Sequence, residues 1–273
     1  MLRLLAIWSG DIQLKIATWN VNSIKARAEH VANWLNDAEP DVLCLQELKC
    51  VDENFPGSLY EDLGYNVAVH GQKTYNGVAI LSRFPLEDVT AGLPGDKSDE
   101  QARYLEAVVS TKSGTVRVAS IYLPNGNPVP GEKYDYKLKW MARLKKHAEK
   151  LLTQEEQLVL AGDFNVIPSA DDVYDPKAWI EDALYRPETR TAFQEILHLG
   201  LTEAISATHS EPHLYTFWDY QRGAWQKDNG IRIDHLLLSP QAADCLTSAD
   251  VDKRPRGWER PSDHVPVWIQ LED

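Results

Sequence analysis

Residues 158–169, "LVLAGDFNVIPS", run apolar from Leu158 to Ala161 and then turn polar at Asp163 and Asn165. The first half reads as a strand covered on both faces, because such strands are near-continuous in Val, Leu, Ile and Ala. The second half has two readings. Asp and Asn side chains hydrogen-bond local backbone and so make ordinary turns. A strand that delivers a carboxylate and a carboxamide to its tip also suits a site. The rest of the chain decides between them.

Similar runs lie on either side: "KIATWN", "DVLCLQE", "GVAILS", "RYLEAVVST", "VRVASIY", "DHLLLS" and "VPVWIQL". Helical spacing separates some of them. Over residues 23–38, Ile24, Ala28, Val31, Trp34 and Leu35 share one face, with Ser23 as the expected cap. Over residues 132–152, Tyr134, Leu138, Met141, Leu144, Ala148 and Leu152 do the same. A third helix is expected from Thr189 to a stop at Gly200. No linker or low-complexity tract breaks the chain. Residues 15–273 are therefore expected to form one domain of stacked sheets with helices outside, after a short extension at residues 1–14.

The net charge of −13 argues against indiscriminate nucleic-acid binding. Two local runs soften that objection: six basic residues against Asp135 between Lys133 and Lys146, and four against Glu259 between Lys253 and Arg260. The three cysteines form no zinc-site spacing, and a reducing cytoplasm suits them. No apolar run approaches a membrane span, so no membrane partner is expected. The opening "MLRLLAIWSGDIQL" lacks the pattern of a secretory signal.

Four of the apolar runs end on a polar residue: Asn20, Glu47, Tyr122 and Asp163. Two others are preceded by one: Asp234, and the pair Asp263-His264. If these strands share packed sheets, their ends meet at one rim. Carboxylates crowded there repel one another unless a cation intervenes, and oxygen donors select a hard ion, Mg²⁺ or Mn²⁺. Glu47, held at the tip of "VLCLQ", is the leading ligand. Neighbours along a strand face opposite ways, so only one of Asp234 and His235 can face the rim; Asp234 is chosen because a carboxylate can orient His264. The set suits phosphodiester hydrolysis. The metal would polarise a phosphoryl oxygen, and Asp163 would handle water. Asn20, Asn165 and Tyr122 would hold developing charge, with His264 as a donor or base.

The stretches "IATWNVNSIKAR", "PDVLCLQELK", "YNGVAILSR", "SIYLPNG", "LAGDFNV", "YTFWDY", "NGIRIDHLLLS" and "RPSDHVPVW" resemble the exonuclease III family of apurinic/apyrimidinic (AP) endonucleases. That family lies within the endonuclease/exonuclease/phosphatase superfamily, and the likeness runs from Lys15 nearly to the C-terminus. "GDFN" alone is shared with phosphatases and lipases; the combination is specific to DNA repair.

The resemblance implies a four-layer α/β/β/α sandwich, two mixed sheets face to face with helices outside. It implies Mg²⁺-dependent incision 5′ of abasic sites in duplex DNA, and action at damaged 3′ ends by a monomer. Glu47 looks like the main metal ligand, with Asn20, Asp263, Asp163 and Asn165 around it. Asp163 matches the carboxylate on the water or the leaving group. Asn165 and His264 match phosphate donors, Asp234 the partner of His264, and Tyr122 the active-site tyrosine. Asn22, Lys25, Arg27 and Asn125 match DNA-contacting positions. Phe217, Trp218 and Ile231 are expected to wall a sugar pocket too small for a base. Ile231 stands where other family members carry a bulkier Trp or Leu.

Overall fold

The computed structural model describes residues 13–111 and 114–272. Among these described residues twelve strands run in chain order: β1 (Gln13–Asn20), β2 (Val42–Gln46), β3 (Asn66–His70), β4 (Val78–Ser82), β5 (Leu86–Ala91), β6 (Tyr104–Ser110), β7 (Thr115–Tyr122), β8 (Gln157–Asp163), β9 (Thr202–Glu203), β10 (Asp234–Leu238), β11 (Leu246–Val251) and β12 (Val267–Glu272). They form two six-stranded sheets, ordered β11-β12-β1-β2-β4-β3 and β5-β6-β7-β8-β10-β9. In each sheet one central pair is parallel, β1 with β2 and β7 with β8, and the remaining pairs are antiparallel.

A parallel pair needs a crossover, and a helix supplies it each time. Helix α1 (Ile24–Ala38) joins β1 to β2, and α2 (Glu132–Leu152) joins β7 to β8. Alternation along the strands then builds three apolar layers. Ile16, Cys44, Ile80, Val118, Val159 and Leu236 meet between the sheets. Ala17, Leu43 and Leu45 turn outward onto Val31, Trp34 and Leu35 of α1. On the far side Ala119, Ile121 and Leu160 pack on Trp140, Met141 and Leu144 of α2, with Phe193 of α3 (Pro187–Leu197). This is the expected four-layer α/β/β/α sandwich.

Some boundaries differ. β1 begins at Gln13 and Leu14 is buried in the layer between the sheets, so Gln13 and Leu14 of the expected extension belong to the first sheet; residues 1–12 lie outside the described residues. Ser23 occupies the N-cap position of α1 with φ 89°, and its side chain makes no cap hydrogen bond. Helix α3 starts at Pro187 rather than Thr189, because proline suits the first helical turn. Gly200, at φ +105°, lies in the turn beyond its end.

Candidate active site

Register alone gathers the polar strand ends. Asn20 pairs with Gln46, so Glu47 lies one residue beyond. Tyr122 pairs with Asp163, and Asp163 pairs across the sheet with Asp234. β12 runs antiparallel to β1 with Thr18 opposite Val267, which brings residues 263–264 in beside Asn20. The backbone bends sharply where it leaves the strands. Asn22, Glu47 and Asn165 adopt positive φ of 44°, 59° and 48°, a region costly for residues with a Cβ.

One half of the site is buried and tightly bonded. Asp163 Oδ2 accepts from Asn20 Nδ2 at 2.9 Å, and its Oδ1 accepts from the Asn165 backbone N–H at 2.9 Å. His264 Nδ1 donates to Asp234 Oδ2 at 2.8 Å, leaving Nε2 3.8 Å from Asp163 Oδ2. Thr216 Oγ1 donates to the same Asp234 oxygen at 2.6 Å. His235 points the other way, to the Val166 carbonyl at 3.0 Å, so Asp234 is the member of its pair that faces the site.

The electrostatics follow from burial. Burial pushes the Asp163 carboxyl up, against the opposing pull of His264 and the Asn20 hydrogen bond. For His264 burial acts downward, but Asp234 and Asp163 outweigh it, so the imidazole is held protonated well above its ordinary value. An imidazolium donates from both nitrogens, and Nε2–H is therefore a charged donor aimed at the Asp163 side. Burial, followed by the Glu47 and Asp163 carboxylates, drives the Tyr122 phenol well above its ordinary value, so it also remains a donor.

The other half is more open. Lys49 Nζ lies 3.0 Å from Glu47 Oε1 and donates to Asn22 Oδ1 at 2.5 Å. Asn22 Nδ2 donates to Asp263 Oδ1 at 3.0 Å, and the Asn22 N–H donates to Asn20 Oδ1 at 2.9 Å. The donor set suits a hard divalent cation. Glu47, Asp163 and Asp263 all bear on the Tyr122 hydroxyl, and among the described residues only Lys49 offsets Glu47 by direct contact. Asn20 Oδ1 already accepts from Asn22, and Asn165 Oδ1 accepts from Asn125 Nδ2 at 3.0 Å. Each amide oxygen therefore keeps one lone pair for an ion. Among the described residues the tightest group of potential ligand atoms, within 4.8 Å, is Asp163, Asp234 and His264. His264 Nδ1 and Asp234 Oδ2 are committed to the hydrogen bond between them, and Glu47, outside that bond, could anchor an ion.

The flanking residues divide. Phe217 pairs through its backbone with both His264 and Ile231, and its ring meets the His264 ring edge-on at 5.0 Å. Trp218 does not join it. It is fully buried among Tyr215, Ala224 and Val265, with Nε1 bonded to Asp228 at 2.9 Å, so the expectation that it walls a sugar pocket is corrected. Extended backbone sends the two adjacent rings to opposite sides. Arg27 is a clamp: it donates to the Pro261 carbonyl at 3.0 Å and to the Tyr220 hydroxyl at 3.2 Å. Lys25 is exposed on the first turn of α1. Half of the run from Lys133 to Lys146 is engaged, since Lys137 is buried, Arg143 pairs with Asp99 at 2.6 Å, and Lys145 with Glu195 at 2.9 Å, while Lys133, Lys139 and Lys146 are exposed.

Three contributors escape a reading of the sequence. Thr216 and Lys49 sit inside recognisable stretches, "YTFWDY" and "QELK", yet only the fold shows what they touch. Lys137 reaches the carbonyls of Asn125 at 3.0 Å and Asn165 at 2.5 Å from beneath. Burial lowers its pKa to about 7, and nothing in a basic run of sequence announces a buried lysine. Gly126, at φ +92°, carries the chain over it; a Cβ there would lie 2.7 Å from Lys137 Cδ.

Set beside known proteins, residues 17–264 match the model of the endonuclease/exonuclease/phosphatase family, and the chain belongs to that family, on its exonuclease III-like branch. It is a nuclease, a hydrolase of the DNA-repair kind, and nucleases of the family are metal-dependent. Exodeoxyribonuclease III of Haemophilus influenzae is 31% identical to it, over 94% of this chain and 100% of that protein. A 3′ phosphatase from Neisseria, NExo, solved with a product DNA hairpin, is 42% identical with a TM-score of 0.91, covering 94% of this chain and 99% of the other. An AP endonuclease from Archaeoglobus fulgidus is 37% identical with a TM-score of 0.89, covering 94% and 98%.

Proposed function

We propose that this nuclease hydrolyses the backbone 5′ of abasic sites in duplex DNA and also trims 3′ ends, removing 3′-phosphates and terminal nucleotides. It does so as a monomer in the cytoplasm, with Mg²⁺ as the natural ion and Mn²⁺ able to substitute. Among the described residues no helix is long and apolar enough to cross a membrane. Cys44 and Cys50 are buried free thiols, which suits a reducing compartment.

The observation that carries the reading is the pairing of Asp163 with His264. A carboxylate raised by burial lies 3.8 Å from an imidazolium fixed by Asp234. On this reading His264 Nε2–H and the Tyr122 hydroxyl bind the phosphate oxygens and the charge that develops on them. Asp163 orients the attacking water or receives its proton, and Asn20 and the Asn165 backbone N–H keep that carboxylate aimed. Glu47, with Asp263 and Asn20, would hold the divalent ion, which would supply Lewis acidity and positive charge at the phosphate. On this reading Asn22 and Lys25 contact the backbone of the duplex, and Lys137 ties together the two segments carrying Asn125 and Asn165.

One duplex oligonucleotide tests the reading in three forms: with an abasic site, with a recessed 3′ end and with a 3′-phosphate, each with and without Mg²⁺. Ion-dependent product from the abasic form is expected. A protein that hydrolyses a phospholipid headgroup and leaves all three duplexes intact would reject it.

A further inference from the structure

A cavity of about 290 Å³ opens behind Phe217, walled by Tyr174, Trp179 and Ile231 and edged by Gln221, Arg222 and Asn229. It adjoins the active site through shared walls, since Phe217 meets His264 edge-on and Ile231 precedes Asp234 by three residues. We propose that this chamber receives the intact base of the nucleotide whose phosphate is attacked, so that the site processes base-bearing nucleotides as well as bare sugars. The inference rests on the DNA reading above and extends it to the substrate's base.

Three features argue for a base. The first is size. Pockets that hold whole ligands begin at roughly 300 Å³, far more room than a sugar without its base would fill. The second is chemistry. Flipped bases are gripped between aromatic faces and read at their edges by hydrogen bonds. Trp179 and Tyr174 offer the faces; Tyr174 is 41% exposed. Among the described residues no hydrogen bond engages the side-chain amides of Gln221 and Asn229 or the Arg222 guanidinium, so donors and acceptors stand free at the rim. The third is construction. Ile231 pairs through its backbone with both Val173 and Phe217, and the Tyr174 N–H donates to the Gly230 carbonyl at 3.1 Å, so both walls are tied to one segment.

The test measures kcat/KM on two duplexes, one with an internal abasic site and one with a matched, base-bearing 3′-terminal nucleotide. Trp179→Ala removes the stacking face without touching any group assigned to the phosphate, the metal or the sugar. Removal of the terminal nucleotide should fall about tenfold, the scale of one lost base–aromatic stack, while abasic incision stays within about twofold. Asn229→Leu keeps bulk and removes the amide edge; it should lower the same ratio and change the preference among the four terminal bases. Equal losses on both duplexes, or no loss on either, would overturn the proposal. If Trp179→Ala does not fold, Asn229→Leu decides it, and an unchanged ratio there rejects the chamber. The wild-type abasic rate reports separately on the proposed function, which can stand whichever way the ratio falls.

Discussion

Two buried carboxylates in the second sheet are treated in opposite ways. Glu203, at the end of β9, meets Arg232 Nη1 at 2.6 Å, and Asp172 takes Arg232 Nε at 2.7 Å. Burial alone would raise Glu203, but Arg232 overrides it and holds the carboxyl well below its ordinary value. Among the described residues Asp163 has no such contact with an Arg or Lys side chain. Its nearest cation is the His264 ring at 3.8 Å, itself committed to Asp234, and burial raises Asp163. The charges of the Arg232 cluster are paired, although the buried Glu203 Oε1 and His235 Nδ1 face each other at 3.6 Å without a hydrogen bond, and the cluster so contributes to folding. The Asp163 cluster keeps part of its electrostatic demand unmet, which is the condition of a group that acts on a substrate.

That contrast can be broken by mutation. The largest effect is expected from Asp163→Asn, which should cut the single-turnover rate on an abasic duplex by ~10²- to 10⁴-fold while DNA binding persists. Its thermal midpoint should not fall, because the ionised carboxylate is disfavoured in the folded state. A near-normal rate, or a lost fold, would reverse the assignment.

Arg232→Met should do the opposite. It strands two buried carboxylates, and breaking such a pair costs about 3–5 kcal/mol. Denaturant unfolding would record the loss, and a small change would mean that water already reaches the cluster.

The pH dependence separates the clusters in a second way. Glu203 is depressed in the fold, so its contribution is complete above the ordinary glutamate value of 4.5 and is lost as pH falls below it. Thermal midpoints of wild type and Glu203→Gln should therefore converge as pH drops from neutral into that range. A gap that stays constant would remove Glu203 from the acid response.

A finer distinction lies within the site. Glu47 sits in its open half, so Glu47→Gln should weaken Mg²⁺ binding by calorimetry and regain part of its rate at high Mg²⁺, whereas Asp163→Asn should not. Normal ion affinity in the Glu47 variant would move the ligand role elsewhere. The smallest effect is expected from Phe217→Ala, which should erode the preference for abasic over intact internal sites more than it slows the chemistry. An unchanged preference in a folded variant would take Phe217 out of the pocket.

Much of this arrangement was legible in the sequence, and the gaps have physical causes. All eight apolar runs correspond to strands, and all eight are interior strands of the sheets. The four strands not anticipated, β3, β5, β9 and β11, are the four sheet edges. An edge strand pairs on one side only and tolerates polar residues, as "LEDVTA" and "LTSADV" do, so its apolar signal fades. The site was legible because strand ends carry it: a polar residue terminating a buried strand has few places to go. Contacts made from beneath or from the side were not. Thr216, Lys49 and Lys137 act through distances that no periodicity encodes, and Phe217 and Trp218 differ in role although they are adjacent in sequence and alike in type.

The central claim is that Asp163, His264 and Asp234, with an ion at Glu47, carry out hydrolysis of the DNA backbone. The most direct measurement is the chemical identity of the ends left at an abasic site, with Mg²⁺ and with excess chelator. Hydrolysis 5′ of the lesion should leave a 3′-hydroxyl on one fragment and a sugar phosphate on the other, and chelator should abolish both products. Strand breakage that persists in chelator and leaves an unsaturated sugar on the 3′ end would be elimination, and it would contradict the account.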